Sequence, residues 1–219
     1  MSVVLGIDTA TDVRVGLARD GVVVARGAVE DRRAHAEQLM PLVQRVLAEA
    51  GASLGDLTAI AVGVGPGPFT GLRVGVAAAQ TLGVALGVAV RGACSLDVVA
   101  REWAARPDAP GTEFAVVADA RRKEVYWASY GADGSRLAGP FVTAPSEVPD
   151  VPLAGPGATL TGRACAGPEA LDAGLLAAET ASLPDAGLVP LYLRRPDAEV
   201  PTTRKSTLLA PRLAMMGNR

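Results

Sequence analysis

The loop Gly65-Pro66-Gly67-Pro68 contains residue types found in phosphate-binding turns. It follows an apolar run from Ala59 to Val64, typical of a buried strand, and precedes a helix-like run from Gly71 to about Leu86. Thr70 occupies the expected N-cap position of that helix. In open α/β sheets, ligands and partners are usually bound at such a junction between strand and helix.

Three functions remain open for this loop, and a phosphate site is the least favoured of them. A Walker loop requires a lysine where this chain has Leu72, and a dinucleotide fingerprint requires a glycine at the position of Thr70. Pro66 and Pro68 also lack the N–H groups that would bind a phosphate. A purely structural turn and an element that presents a fixed surface to a partner are equally favoured.

Two carboxylates are candidates for metal binding or base catalysis. Asp8 and Asp119 each end an apolar strand-like run. Without a matching phosphate loop, Asp8 could equally cap its own turn. In Asp119-Ala-Arg-Arg122, two guanidinium groups lie beside the carboxylate, and a surface ion pair is favoured there over an anion or RNA contact.

Several enzyme classes are excluded by residue counts. His35 is the only histidine, so a metalloprotease helix with paired histidines is impossible. A serine hydrolase is disfavoured because the chain contains no Gly-x-Ser-x-Gly elbow. Cys94 and Cys165 have no recognisable catalytic context, and two isolated cysteines suggest a reducing cytosol.

Composition predicts a globular protein without autonomous affinity for nucleic acid. The chain has 219 residues, 49% of them hydrophobic, and a net charge of -2. Its eight aromatic residues (three Phe, three Tyr and two Trp) leave few platforms for stacking RNA bases. The best candidate for a membrane span, Val74 to Val90, contains Gln80 and Thr81 and several glycines, so no membrane association is expected.

Small residues recur every four positions along the predicted central helix. The stripe consists of Gly71, Gly75, Ala79, Gly83 and Gly87. Each interior glycine costs about 1 kcal/mol relative to alanine, which close packing against another backbone could offset. The stripe is therefore expected to be an interface, although packing on the chain's own sheet would explain it as well.

The first half of the chain predicts three strands followed by alternating helices and strands. The strands are Val3 to Ile7, Val13 to Ala18 and Val22 to Val29, with Asp20-Gly21 as a hairpin turn. A helix from Ala34 to Ala50 follows, with an apolar stripe that includes Leu39, Leu42 and Val46, and with Gly51 at its C′ position. A strand from Gly87 to Gly92 and a helix from Ser95 to about Ala105 complete this half.

The second half repeats the three-strand pattern. A boundary rich in Pro, Asp and Gly, from Pro107 to Gly111, separates a predicted domain 1–106 from a domain 107–219. Beyond it, strands are predicted at Phe114 to Ala118, Val125 to Tyr130, Arg136 to Thr143 and Val151 to Ala154, with short helices at Leu171 to Ala178 and Leu208 to Met216. The second copy is eroded.

Two such copies indicate an α/β fold of the actin, Hsp70 and sugar-kinase type, a duplicated RNase H-like fold with a reduced second copy. In that fold, the first hairpin often contacts nucleotide phosphates. Asp8, Thr9 and Thr11 occupy this place and form a weak candidate nucleotide site. Fold alone does not determine function.

A set of motifs along nearly the whole chain resembles the TsaB (YeaZ) family. The motifs are Gly6-Ile-Asp-Thr-Ala-Thr11, His35-Ala-Glu-Gln-Leu39, Gly65-Pro-Gly-Pro-Phe-Thr-Gly-Leu-Arg73, Ser95-Leu-Asp97, Asp119-Ala-Arg-Arg122 and Pro190-Leu-Tyr-Leu-Arg194. The resemblance implies a cytoplasmic, non-catalytic subunit of the bacterial tRNA threonylcarbamoyladenosine machinery. Its partners would be a TsaD homologue, which carries the metal site and catalysis, and the ATPase TsaE, while TsaC makes the threonylcarbamoyl-adenylate.

The resemblance also implies where partners and cofactors bind. The chain would hold no cofactor of its own, ATP or ADP could lie at the junction with TsaD, the isolated chain could form a homodimer, and tRNA would be contacted only indirectly. The expected docking residues are His35, Leu39, Leu42, Val46, Gly71, Arg73, Gly75, Ala79 and Gly83. Pro68 and Ala36 stand where the family usually has serine, which weakens the case for a private nucleotide site. The alternative is an active ATP-dependent phosphotransferase.

Overall fold

The first half of the chain forms a five-stranded mixed sheet. A computed structural model describes residues 1–30 and 35–194. The strands are β1 (Val3–Asp8), β2 (Val13–Arg19), β3 (Val22–Val29), β4 (Ala59–Gly63) and β5 (Ala89–Ala93), in the order β3-β2-β1-β4-β5. β1 pairs antiparallel with β2 and parallel with β4, so a meander leads into parallel crossovers, as the sequence predicts.

This half of the chain also contains three helices, α1 (His35–Glu49), α2 (Phe69–Leu86) and α3 (Ser95–Ala104), of which α3 packs against the second sheet. The predicted C′ role of Gly51 is confirmed by its left-handed φ of 60°. The prediction of Thr70 as the N-cap of α2 is wrong, because the helix begins at Phe69. Pro68 is its N-cap: its φ is fixed by the ring, and its carbonyl accepts a hydrogen bond from the Leu72 N–H at 3.1 Å.

The second sheet repeats the first without its fifth strand. It consists of β6 (Phe114–Asp119), β7 (Val125–Tyr130), β8 (Arg136–Thr143) and β9 (Leu153–Ala154), in the order β8-β7-β6-β9. β6 pairs antiparallel with β7 and parallel with β9, as β1 does with β2 and β4. The chain therefore has the duplicated RNase H-like fold of actin-type proteins, with a reduced second copy.

The segment after residue 170 returns to the first sheet. Helix α4 (Ala173–Ala178) lies against β1 and β2, where glycines 6 and 16 leave room for its backbone. Further along, the Ala186 N–H donates to the Gly92 carbonyl, and the Leu191 N–H donates to the Val64 carbonyl. The domain boundary after residue 106 stays a prediction, and the helix predicted at Leu208 to Met216 lies outside the described residues.

Candidate functional site

A cleft lies between the two sheets and is lined by residues of both halves of the chain. Its cavity measures about 270 Å³. The first sheet and its loops contribute Asp8, Thr11, Asp12, Arg14, Glu30, Pro66 and Ser95, and the second half contributes Ala118, Gly155, Thr159, Cys165 and Glu169. The sequence-predicted Asp8 and Thr11 are therefore brought to one cavity.

Asp8 is the most deeply buried of these acids. One carboxylate oxygen accepts a hydrogen bond from the Ser95 hydroxyl at 2.6 Å, and the other accepts one from the Ala10 N–H at 2.9 Å. Gly63 makes room for the carboxylate, since a Cβ there would overlap it. Burial raises the pKa of Asp8 from 3.8 to about 6, and the hydrogen bonds oppose that shift only in part.

The hydrogen bonds of Asp8 extend through Ser95 to Gly65, the first residue of the loop between β4 and α2. The Ser95 hydroxyl oxygen accepts a hydrogen bond from the Gly65 N–H at 3.1 Å, and the Ser95 N–H donates one to the Gly65 carbonyl at 2.7 Å. Asp8, Ser95 and Gly65 therefore form one buried network across three elements. The capping role that the sequence left open for Asp8 is present in its bond to Ala10, although the carboxylate also holds the loop of a different strand.

Thr9 does not line the cavity. Its hydroxyl is buried and donates to the Gly71 carbonyl at 2.8 Å, so the side chain fixes the first turn of α2. The expected nucleotide set of Asp8, Thr9 and Thr11 is thus divided between the cleft and a helix contact. Its role in nucleotide binding stays a prediction.

The charges of the cleft oppose a polyphosphate. Asp12 is paired with Arg14 through two hydrogen bonds of 2.8 Å, and Glu30 and Glu169 add two more carboxylates to the lining. Among the described residues of that lining, Arg14 is the only cation, and its charge is matched by Asp12. Within the described residues, no group of three or more histidines, cysteines or carboxylates could hold a metal ion.

The second hairpin, between β6 and β7, carries the predicted surface ion pair. The Arg121 guanidinium lies 3.3 Å from the Asp119 carboxylate, which also accepts the Arg121 N–H at 2.7 Å. Three successive residues, Arg121, Arg122 and Lys123, have φ angles of 63°, 53° and 64°. Such a run of left-handed residues without glycine cannot be recognised from residue types.

The two cysteines are free and do not form a catalytic pair. Cys94 is buried, and burial raises the pKa of its thiol to about 12, so it is inert as a nucleophile at neutral pH. Cys165 is half-buried at the wall of the cleft, and burial raises its pKa as well.

The glycine stripe of α2 lies inside the chain, contrary to the expectation of an open docking surface. A Cβ on Gly75 would overlap the Thr9 side chain, and one on Gly83 would overlap Val90. Gly71 and Ala79 are buried too. The stripe therefore allows the helix to approach its own sheet, which is the explanation that the sequence left as the alternative.

The apolar stripe of α1 is internal as well. Leu39, Leu42 and Val46 are at most 2% exposed and belong to the core between α1, α2 and the first sheet. The side chain of His35 lies outside the described part of the chain. Docking through α1 and α2 stays a prediction, and a partner would have to meet the outer faces of these helices, on which Arg73 is exposed.

The outer face of α2 is the feature that sequence reasoning missed. Its exposed residues are Phe69, Thr70, Arg73, Ala77, Gln80, Thr81, Val84 and Ala85, of which only Arg73 is charged. Val84 is 86% exposed. The helix is long and apolar enough to cross a membrane by length and composition alone, as a core helix can also be. The signal was the near absence of charge on every face.

Comparison with known proteins gives consistent matches. The family described as "TsaD: tRNA N6-adenosine threonylcarbamoyltransferase" matches residues 28–162. An uncharacterized protein of Mycobacterium tuberculosis strain H37Rv is 47% identical over 208 residues, which are 91% of this chain and 95% of that protein. The tRNA threonylcarbamoyladenosine biosynthesis protein TsaB of Escherichia coli K12 is 39% identical over 131 residues, 59% of this chain and 55% of that one.

Solved structures from Pseudomonas aeruginosa match nearly the whole chain. YeaZ superposes with a TM-score of 0.71 at 28% identity, over 88% of this chain and all of that one. A protein described as similar to the peptidase YeaZ superposes with a TM-score of 0.72 at 27% identity, over 89% of this chain and all of that one.

Proposed function

The chain belongs to the TsaB (YeaZ) family, and from this membership we propose that it is the non-catalytic partner of a TsaD homologue in tRNA threonylcarbamoyladenosine biosynthesis. In this role it would support transfer of the threonylcarbamoyl group to the adenosine beside the anticodon. The ATPase TsaE would join the pair, and nucleotide would be held at the junction rather than by this chain alone.

The observation that carries the proposal is the outer face of α2. From Ala77 to the end of this 18-residue helix, no exposed residue is charged, and Ala77, Val84 and Ala85 present the surface of an interface rather than of a solvated helix. A TsaD homologue of the same fold would offer a matching helix. In its absence, a second copy of this chain offers the same face, which favours a homodimer in isolation.

The cleft supports a non-catalytic role. Among the described residues, its lining carries more carboxylates than cations, and the one guanidinium that they include is paired with Asp12. Charge of this sign disfavours the transfer of a phosphoryl group, which needs cations or metal ions around the phosphates. The rival function, an ATP-dependent phosphotransferase, requires the pure chain to hydrolyse ATP. We expect no turnover above the level of a buffer control.

Substitution of Val84 by lysine tests the docking face. Because Val84 is 86% exposed, Val84→Lys should change the free energy of unfolding by no more than about 0.5 kcal/mol. Burying the new charge in the interface should weaken pairing with the TsaD homologue at least about tenfold. Lysine is chosen because a carboxylate in the last turn of a helix is itself unfavourable.

The control is Val22→Lys, at a residue of β3 that is 65% exposed. Pairing is measured by analytical ultracentrifugation of mixtures with the TsaD homologue from the same bacterium, and modification is measured as threonylcarbamoyladenosine formed in tRNA. The proposal fails if both variants pair and support modification like the wild type, or if modification proceeds equally well without this chain.

A further inference from the structure

A surface outside the cleft combines cations with exposed aromatic rings. We call it the basic strip and define it as Phe69 and Arg73 of α2, the loop Arg121–Lys123, and Tyr192 and Arg194 of the segment that follows α4. The three parts are distant in sequence, and side-chain contacts connect the first and the second with the third.

The aromatic part is a pair of exposed rings that are in contact and tilted relative to each other. The rings of Phe69 and Tyr192 lie 4.8 Å apart between centroids, and the Arg73 guanidinium lies 4.9 Å from the Phe69 centroid. Phe69 is 48% exposed and Tyr192 is 42% exposed. Leu191 and Leu193 pack against the core, so their burial fixes the segment that carries Tyr192.

The cationic part is the hairpin between β6 and β7. Arg194 forms an ion pair with Glu124 and thereby connects the segment of Tyr192 to this hairpin. Arg121, Arg122 and Lys123 are exposed and left-handed. Residues other than glycine rarely adopt this backbone conformation. Backbone strain of this kind is concentrated at functional sites.

The charge of the basic strip is opposite to that of the whole chain. Five cations, namely Arg73, Arg121, Arg122, Lys123 and Arg194, lie with the two carboxylates of Asp119 and Glu124, in a chain whose net charge is -2. Within the described residues, Lys123 makes no ion pair. The low net charge that argues against autonomous binding of nucleic acid therefore conceals a local surface that is suited to phosphates.

We propose that the basic strip binds single-stranded RNA, with the cations on backbone phosphates and the Phe69–Tyr192 pair stacked on an unpaired base. This rests on the proposed function, in which the RNA is the tRNA whose anticodon loop is modified. Loops of RNA display unstacked bases, and grooves that bind them combine cations with aromatic platforms. An acidic protein partner would use the cations but leave the exposed rings unexplained. This proposal differs from the expectation that tRNA is contacted only indirectly, and the tests below distinguish the two.

The cationic part is tested by the salt dependence of binding. The complex of the full chain with its TsaD homologue is titrated with an unmodified tRNA transcript at several salt concentrations. Lys123→Gln and Arg121→Gln should each weaken binding and lower the slope of log affinity against log salt by about 0.7 to 0.9. The control Arg106→Gln removes one exposed cation from the end of α3 and should bind with the wild-type slope.

The aromatic part is tested at constant salt. Tyr192→Ser should weaken tRNA binding about 5- to 100-fold without changing the salt slope, because stacking releases no counterions. The control is Phe141→Ser, at a ring that is also 42% exposed and lies 4.9 Å from Trp127. This variant should bind tRNA like the wild type.

The outcomes separate this inference from the proposed function. The RNA-binding proposal would be overturned if Lys123→Gln and Arg121→Gln both bound tRNA with the wild-type affinity and the wild-type salt slope. It would also be overturned if Tyr192→Ser lost pairing with TsaD but still bound tRNA, because the rings would then belong to an interface with a protein partner. The side chain of Lys123 is exposed, so Lys123→Gln should fold normally and is informative even if Tyr192→Ser folds poorly. Failure of the wild-type chain to pair with TsaD would instead contradict the proposed function.

Discussion

At the scale of residues, Asp8 shows how one position changes its role with its surroundings. In an active phosphotransferase of this fold, such a carboxylate faces metal and phosphate. Here it is enclosed by Ser95, Gly63 and the turn at Ala10, and burial raises its pKa to about 6. A carboxyl group that is partly protonated near neutral pH serves as a structural hydrogen-bonding group in this network.

Asp8 should make the fold less stable as the pH rises. The folded pKa of about 6 lies above the ordinary value of 3.8, so the folded state binds the proton more tightly. The resulting stability is complete below pH 3.8 and is lost as the pH rises through 6, by about 3 kcal/mol in total. Urea unfolding of the wild type between pH 4 and pH 8 should show this decline.

The variant Asp8→Asn removes the titrating group while keeping its shape. We expect it to be at least as stable as the wild type at pH 7.5 and to lose most of the decline between pH 4 and pH 7. The control Asp150→Asn changes a fully exposed carboxylate and should keep the wild-type profile. A large loss of stability in Asp8→Asn at pH 7.5 would show that the charged carboxylate is needed.

At the scale of elements, α2 has two faces with different uses. Its glycine face lies against Thr9 and Val90 and belongs to the core, whereas its outer face exposes Phe69 and Val84. The cost of interior glycines in a helix is thus offset by packing within the chain. A partner that docks on α2 therefore has to contact its outer face.

Replacement of Gly75 by alanine should destabilise the fold, although alanine favours helix by about 1 kcal/mol. The new Cβ would overlap the Thr9 hydroxyl that donates to Gly71, and overpacking typically costs about 1 to 3 kcal/mol. In the double variant with Thr9→Ala the overlapping atom is gone. Denaturant unfolding of the four proteins should give a coupling of about 1 kcal/mol or more. If the stability changes of the two single variants simply added in the double variant, α2 would be able to shift and accommodate the new Cβ.

At the scale of the whole molecule, the segment after residue 170 connects the two halves. α4 lies on β1 and β2, and Asp172 caps the helix through the Gly174 N–H while forming an ion pair with Arg26 at 2.7 Å. The same segment continues to Tyr192 and Arg194 of the basic strip. The position of that strip therefore depends on how α4 is seated.

Gly16→Ala should unseat α4. A Cβ at this position would overlap the backbone of Ala173 and Gly174, which cannot rotate away as a side chain can. We expect faster hydrogen exchange across residues 173–193 and a loss of at least about 1 to 3 kcal/mol of stability. The matched control is Gly55→Ala, whose Cβ would meet its nearest neighbour, Ser53, at 3.8 Å. Equal exchange in the two variants would show that α4 is not held by this contact.

Much of the fold could be predicted because its signals are local. The strands Val22–Val29, Val125–Tyr130 and Arg136–Thr143 have the predicted bounds, because turn residues and side-chain periodicity mark them along the chain. The start of α2 was misplaced because proline and threonine both suit the boundary of a helix, and only the backbone geometry decides between them.

The candidate site was predicted only in part. Asp8 and Thr11 do reach the cleft because strand ends of this fold converge there, but Thr9 points to α2, which depends on the side of β1 to which the helix is attached. Periodicity shows that a helix has a stripe of small residues. It does not show whether the surface against that stripe comes from the same chain or from another.

By itself, the sequence determined the order of elements, the repeat and the family motifs, since hydrogen-bonding patterns and side-chain periodicity act over a few residues. Only the tertiary structure decided that the glycine stripe is internal, that Asp8 is buried with a raised pKa, and that Tyr192 meets Phe69. The physical reason is that burial and proximity are set by contacts between segments far apart in the chain. The residues around Glu124 and Arg194, for example, do not indicate that these two side chains form an ion pair.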